Sequence, residues 1–123
     1  MGLAFGRDRR LRRRADFVRI QRDGRPVRTP HFVMLVAKNE SAVTAPSRLG
    51  IVAGRKTGIA VVRNRIKRLC RECFRLDPTW VPSGVDLVVI AKPGAGQMKL
   101  QDVQAEWSAA RSKLDAQCKK VLA

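Results

Sequence analysis

The sequence predicts a single α/β sandwich in which helices pack on one small sheet. Three observations support this fold class. The chain has 123 residues, which suits one domain, and 45% of them are hydrophobic, which is enough for a core. Its apolar patterns change between helical and strand periods in the order helix, strands, helix, strand, helix.

The first half of the chain predicts one short helix and two strands. Residues 15–22 predict the helix, which Gly24 ends. Residues 31–37 predict a largely buried strand, and residues 48–53 predict another. Pro26 lies in the β-rich stretch before the first strand. Because proline has no N–H to donate, that stretch is restricted to a sheet edge or a bend.

The second half predicts a helix, a strand and a final helix. Residues 58–76 predict a strongly basic helix. Residues 86–91 form a nearly continuous apolar run, which is typical of a central strand. Residues 100–122 repeat apolar side chains at steps of three and four, so they predict one last helix.

The basic helix has two different sides when its residues are placed at about 100° per residue. The apolar side carries Ile59, Val62, Ile66, Leu69, Cys70, Cys73, Phe74 and Leu76. The opposite side carries Asn64, Lys67, Arg68, Arg71 and Arg75, with Arg65 and Glu72 near its edge. Arg63 breaks the pattern and lies at the rim of the apolar side. The helix is therefore expected to bury one side and to present cations to a polyanion.

Charge favours nucleic acid as the partner. The net charge is +16 and the pI is about 11.5, so phosphates would relieve strong self-repulsion. An anionic membrane surface is the second candidate, although no apolar run reaches the roughly 18 residues of a spanning helix. Residues 1–14 contain six arginines and are interpreted as a basic arm, followed by one RNA-binding domain over 15–123.

The sequence favours a reduced, cytoplasmic protein. Three cysteines are an odd number, which argues against a secreted disulfide framework. Residues 1–14 lack the apolar core of a signal peptide. Cys70 and Cys73 lie on the apolar side of the basic helix, so we interpret them as small buried hydrophobic residues rather than as metal or redox ligands.

No residue of the chain is predicted to be catalytic. His31 has no cysteine or carboxylate partner nearby in sequence, and the ten carboxylates are scattered rather than clustered for two metal ions. Residues 54–58 lack the spacing of a nucleotide-binding phosphate loop. Phe17, Ile20 and Phe32 are most simply core residues, although apolar side chains beside cations can also stack on bases.

The centre of the sequence resembles the signature of the bacterial ribonuclease P protein component. The matching residues are Arg48-Leu49-Gly50-Ile51-Val52, Arg55-Lys56, Gly58, Ala60-Val61, Arg63-Asn64-Arg65-Ile66-Lys67-Arg68 and Arg71-Glu72. Further blocks follow the family in the same order, namely Asp16-Phe17, Gly24-Arg25, Phe32-Val33 and residues 86–94.

This resemblance implies both a fold and a function. The fold is a four-stranded sheet sandwiched with helices, similar to ribosomal protein S5 domain 2. It has a left-handed βαβ crossover, where general topology predicts a right-handed one. The protein would be an accessory subunit of the endoribonuclease that removes the 5′ leader from precursor tRNA. The RNA subunit would carry the chemistry with magnesium, and the protein would bind no membrane and no small-molecule substrate.

The resemblance also implies two groups of site residues. Those that resemble the RNA-contacting basic motif are Arg55, Lys56, Arg63, Asn64, Arg65, Lys67, Arg68 and Arg71. A cleft between the sheet and the first helix would hold the single-stranded leader, lined by Phe17, Ile20, Gln21, Phe32 and Leu35. Relatives often place aromatic residues where this chain has Gln21 and Leu35, so leader stacking is expected to be weaker here.

Two other functions remain open from the sequence. A ribosomal component or an RNA chaperone would use the same basic helix, and co-purification with ribosomal subunits would favour it. A self-sufficient metal-dependent nuclease would require folding to assemble an acidic cluster from distant carboxylates.

Overall fold

The computed structural model describes residues 9–40 and 44–123. The helices and strands, in chain order, are α1 (Arg14–Asp23), β1 (Arg25–Arg28), β2 (Phe32–Lys38), β3 (Arg48–Val52), α2 (Ala60–Leu76), β4 (Val85–Ala91), α3 (Leu100–Ala109) and α4 (Arg111–Leu122). Short 3₁₀ turns lie at Arg55–Thr57, Pro78–Trp80 and Ala95–Gln97.

The strands form one mixed sheet in the order β1-β2-β4-β3. β2 pairs antiparallel with β1 and with β4, whereas β3 and β4 are parallel. The predicted positions of β1 at an edge and β4 in the interior are confirmed. The chain passes from β3 through α2 to its parallel neighbour β4, which is the crossover that the resemblance implies. The hand of this crossover stays a prediction.

The two faces of the sheet have separate apolar clusters. Phe32, Met34 and Val36 of β2 point towards α2, α3 and α4 and belong to the larger cluster. Leu35 and the other alternate residues of β2 point towards α1 and belong to the smaller cluster, which also contains Ile20. This division follows from the two-residue period of a strand. The α1 face and the α2 face are therefore different surfaces.

The last helix differs from the prediction because it divides at Ala110. The backbone there has φ −94° and ψ 0°, and its N–H donates to Trp107 O at 3.0 Å. α3 packs on α2, whereas α4 lies on β1 and β2. Trp107, Ala110 and Leu114 are all buried, so the apolar spacing continues across the division and conceals it in the sequence.

The start of the basic helix also differs from the prediction. α2 begins at Ala60, and Ile59 stands before it in extended backbone. Ile59 is exposed rather than part of the core. The helical period does not apply to a residue outside the helix, so the apolar side of α2 begins with Val62.

Candidate nucleic-acid interface

The buried side of α2 fixes where its cations lie. Ile66, Cys70, Cys73 and Phe74 are all buried in the larger cluster, which confirms the predicted helix phase. Arg68, one of the cationic residues, is exposed. The other exposed residues of the predicted RNA-binding set are Arg55, Lys56 and Asn64, and the half-buried ones are Arg63, Arg65, Lys67 and Arg71. α2 thus holds a dense row of cations outside the core.

Part of this row lines a groove of about 550 Å³. The lining residues are Arg10, Arg65, Arg68, Leu69, Arg71, Glu72 and Arg75. Burial, and then repulsion by Arg10, lower the pKa of Arg71 from its ordinary value. Arg75 is partly neutralised, because its Nε donates to Glu72 Oε1 at 3.0 Å. A bound phosphate would relieve the crowding of Arg10 and Arg71.

Arg65 also has a structural role that the sequence pattern did not predict. Its Nη1 donates to the carbonyl oxygen of Gly96 at 2.8 Å. This bond ties α2 to the 3₁₀ turn at Ala95–Gln97. The turn packs closely, because a Cβ at Gly96 would lie 2.5 Å from Val62 Cγ1.

Arg63 lies at the rim of the core, as predicted. The residue is half-buried, and its Nε is buried without a hydrogen-bond partner among the described residues. A buried N–H without a partner is costly.

The opposite face of the sheet has an apolar surface beside α1. Phe17 is half-buried, and its ring covers Gly50 so closely that a Cβ there would lie 2.7 Å from the ring. Leu35 lies on the same face, and Gln21 of α1 is exposed. Ile20 is completely buried, so it supports this surface from beneath.

Phe32 does not belong to this surface, and its assignment to the leader cleft is wrong. It lies on the other face of the sheet, where its ring packs edge-on against Trp107 with centroids 6.2 Å apart. Phe32 is three residues from Leu35 along β2, and residues an odd number apart in a strand point to opposite faces.

Sequence reasoning missed three half-buried residues on the α1 face. They are Val33, Val52 and Ile90, which pack against the smaller apolar cluster. The sequence signal that could have found them is that each alternates with core residues along its strand, namely β2, β3 or β4. Together they widen the apolar floor beside Phe17.

Sequence reasoning also missed the ion network that attaches α1 to the sheet. Asp86 of β4 is completely buried, and its carboxylate accepts from Arg48 Nη2 at 2.8 Å, Arg19 Nη2 at 3.2 Å and Asn39 Nδ2 at 3.2 Å. Arg19 belongs to α1 and also lies 3.4 Å from Asp16. The partners of Asp86 are far apart in sequence, so local patterns carry no signal for the network.

The cysteines are buried, as predicted. Burial raises the pKa of the Cys73 thiol to about 12 and that of Cys118 to about 11, and it raises the pKa of Cys70 further. Such thiols are poor nucleophiles and ligands. Within residues 9–40 and 44–123, no three metal-ligating side chains come together.

His31 has a partner that its sequence neighbourhood does not show. Its Nδ1 lies 2.7 Å from Glu106 Oε1, and its backbone N–H donates to Glu106 Oε2 at 2.8 Å. The hydroxyl of Thr29 donates to the same carboxylate at 2.6 Å. Glu106 belongs to α3, so this cluster fastens α3 to the turn between β1 and β2. His31 therefore has a structural contact in this fold.

The fold and these surfaces define a small basic α+β protein of the RNA-binding class. The profile of the family described as Ribonuclease P matches residues 5–115. The chain is 44% identical to the ribonuclease P protein component of Syntrophobacter fumaroxidans over 98 residues, which are 79% of this chain and 80% of the relative. It is 44% identical to that of Thermotoga maritima over 89 residues, which are 72% and 74%. The chain belongs to the ribonuclease P protein family.

Solved structures agree with this assignment. The RNase P protein of Staphylococcus aureus superposes with a TM-score of 0.76 at 31% identity, over 89% of this chain and 97% of that one. The protein from Thermotoga maritima gives 0.69 at 34% identity, over 89% and 96%. As a family member, the chain is the accessory protein subunit of the ribonucleoprotein endonuclease that removes the 5′ leader from precursor tRNA.

Proposed function

We propose that this subunit acts by binding RNA on two different faces of its sheet. The cationic row of α2 binds the catalytic RNA, and the apolar surface beside α1 binds the single-stranded 5′ leader. The observation that carries this proposal is that α2 and α1 pack on opposite faces of the sheet. One face has Arg68, Arg71 and their neighbours, and the other has Phe17 and the half-buried valines.

The cationic row suits the backbone of a folded RNA. Each arginine or lysine that contacts a phosphate releases counterions, so binding weakens as salt increases. Burial, and then the nearby charge of Arg10, lower the pKa of Arg71, and a phosphate between the two arginines would stabilise both charged forms. This arrangement supports an RNA occupant over a merely solvated helix surface.

The α1 face suits an extended single strand. The ring of Phe17 offers a surface on which a base can stack, and Val33, Val52 and Ile90 offer further apolar contact. The exposed amide of Gln21 adds hydrogen-bonding groups beside them. A leader held there would keep the scissile phosphate in register with the catalytic RNA.

The cleavage chemistry is assigned to the RNA, which would hold the magnesium ions. Four carboxylates of the protein are already engaged: Asp16 and Asp86 with arginines, Glu72 with Arg75, and Glu106 with His31. This supports a protein that positions RNA rather than one that binds catalytic metal.

We place the complex in the cytoplasm, and the three unpaired thiols support a reducing compartment. Over the described ranges, no helix is long and apolar enough to cross a membrane.

Reconstitution tests the proposed function. The purified chain alone is expected to leave precursor tRNA intact, and addition of the catalytic RNA is expected to give 5′ cleavage at low magnesium concentration. The catalytic RNA without protein, at the same magnesium concentration, is the control and is expected to cleave more slowly. Cleavage by the protein alone would contradict the proposal.

A further inference from the structure

Two large apolar side chains stand exposed at the start of α2. Ile59 is 72% exposed and Val61 is 71% exposed. We call this pair the apolar start of α2. Contiguous exposed apolar surface often marks a contact site, whereas single exposed apolar side chains are common on any protein. Two such residues at one helix end make this end a candidate contact surface.

The sequence at this end of α2 does not stabilise the helix. Ile59 occupies the N-cap position, where its side chain makes no capping hydrogen bond, and the first turn contains no acidic residue. By contrast, the start of α3 has Asp102, whose carboxylate accepts from the Lys99 backbone N–H at 2.9 Å. Serine, threonine or aspartate in place of Ile59 would cap the helix. Isoleucine there is thus better explained by contact than by stability.

The surroundings of the pair are cationic. Arg55 and Lys56 are exposed in the turn before it, and Arg63 follows one turn later. The sequence contains no acidic residue between Glu40 and Glu72. Apolar side chains surrounded by cations complement an RNA region whose bases or riboses are accessible beside its phosphates.

The position of the pair selects one RNA. α2 packs on the face of the sheet opposite to α1 and Phe17. Ile59, the N-cap residue of α2, and Val61 stand at the start of the helix that carries the cationic row. The catalytic RNA, which the cationic row of α2 is proposed to bind, is the occupant within reach.

We propose that Ile59 and Val61 pack against unstacked bases or riboses of the catalytic RNA, while Arg55 and Lys56 contact the adjacent phosphates. This inference rests on the proposed function. It adds an apolar contribution to binding that salt does not screen, beside the phosphate contacts that salt does screen.

The test measures binding of the full chain to the catalytic RNA alone at several salt concentrations. Ile59→Ser and Val61→Ser are each expected to weaken binding by about tenfold at every salt concentration, with the salt slope of the wild type. Ile59→Ser is expected to melt no lower than the wild type, because serine can cap α2. Leu76→Ala is the matched control: Leu76 is 38% exposed at the far end of α2, and its substitution is expected to leave binding unchanged.

Wild-type affinity in both serine variants would overturn the inference. The inference would also be overturned if both variants lost affinity and also melted at a lower temperature, because the loss would then reflect a damaged helix. A third outcome concerns vesicles of phosphatidylcholine and phosphatidylglycerol. If the wild type bound them, and the serine variants lost this binding but kept their RNA affinity, the pair would be assigned to a membrane surface instead. A wild-type chain that does not bind the catalytic RNA would overturn the proposed function itself, and this contact with it.

Discussion

Asp86 shows how a single buried charge connects α1 to the sheet. Its carboxylate is completely buried between Arg48 of β3 and Arg19 of α1. A buried ion pair gains little over an apolar alternative, but removal of one member leaves the others buried without compensation. The network therefore makes the position of α1, and with it one wall of the proposed leader surface, depend on Asp86.

Asp86→Ala is expected to lower the free energy of unfolding by about 3–5 kcal/mol, because Arg48 and Arg19 lose their buried partner. Urea unfolding followed by circular dichroism measures this. Asp23→Ala removes an exposed aspartate that pairs with Arg22 and is the matched control, which should leave the unfolding curve unchanged. Equal curves for both variants would show that the network does not hold α1.

Glu106 is expected to make stability depend on pH. Burial works to raise its pKa, but hydrogen bonds from Thr29 and His31 outweigh burial, and the pKa in the folded protein is below its ordinary value of 4.5. The stabilisation that ionised Glu106 gives the folded protein is therefore complete above the pKa of the unfolded state. It is lost as the pH falls through the lower pKa of the folded state. Glu106→Gln should lower the free energy of unfolding by about 1.5–3 kcal/mol at pH 7. The difference in free energy of unfolding between the wild type and the variant should shrink below about pH 4.5. A difference that does not change with pH would contradict this role of Glu106.

At the scale of the helix, the core side of α2 carries the fold. Ile66 is 1% exposed among the residues of the larger cluster. Ile66→Asp buries a charge without a partner, so it is expected to cost about 4 kcal/mol or more and to unfold the domain. Circular dichroism and a thermal melt measure this. A soluble, cooperatively melting Ile66→Asp protein would mean that the helix phase is wrong.

The cationic side of α2 should carry binding without affecting the fold. Arg68→Ala removes an exposed cation. It is expected to weaken binding to the catalytic RNA and to reduce the slope of log affinity against log salt by about 1, while the melting temperature stays unchanged. Lys113→Ala on α4, also exposed and outside the groove, is the control that should leave both quantities unchanged. An unchanged slope in Arg68→Ala would remove this residue from the interface.

The elements that could be predicted from the sequence are those that local periodicity defines. The buried side of α2 follows from its 3.6-residue period, and the edge position of β1 follows from Pro26. Ile59 was misplaced because it stands one residue outside the helix. Phe32 was misplaced because alternation divides a strand into two faces without showing which face meets which helix.

Features that depend on tertiary contact could not be predicted in this way. The division at Ala110 arises because α3 and α4 pack on different partners. The pairing of His31 with Glu106, and of Arg19 with Asp86, joins residues that only the folded sheet brings together. The family resemblance implied the four-stranded sheet and the crossover, but it did not supply these contacts.

At the scale of the whole molecule, the sheet lies between the two proposed binding surfaces. α2 presents its cations on one side, and α1 forms the wall of an apolar surface on the other. The two surfaces can therefore be changed independently by substitution. Each surface can be tested by itself in the assembled enzyme.

The most direct measurement is the affinity of the assembled ribonucleoprotein for precursor tRNA relative to mature tRNA without a leader. Phe17→Ala is expected to lower this ratio by about tenfold, because one stacked base loses its partner. Arg68→Ala is expected to leave the ratio unchanged once the catalytic RNA is saturated with protein, and thermal melts establish that both variants are folded. The opposite result, a ratio lowered by Arg68→Ala and unaffected by Phe17→Ala, would contradict the assignment of leader and catalytic RNA to the two faces.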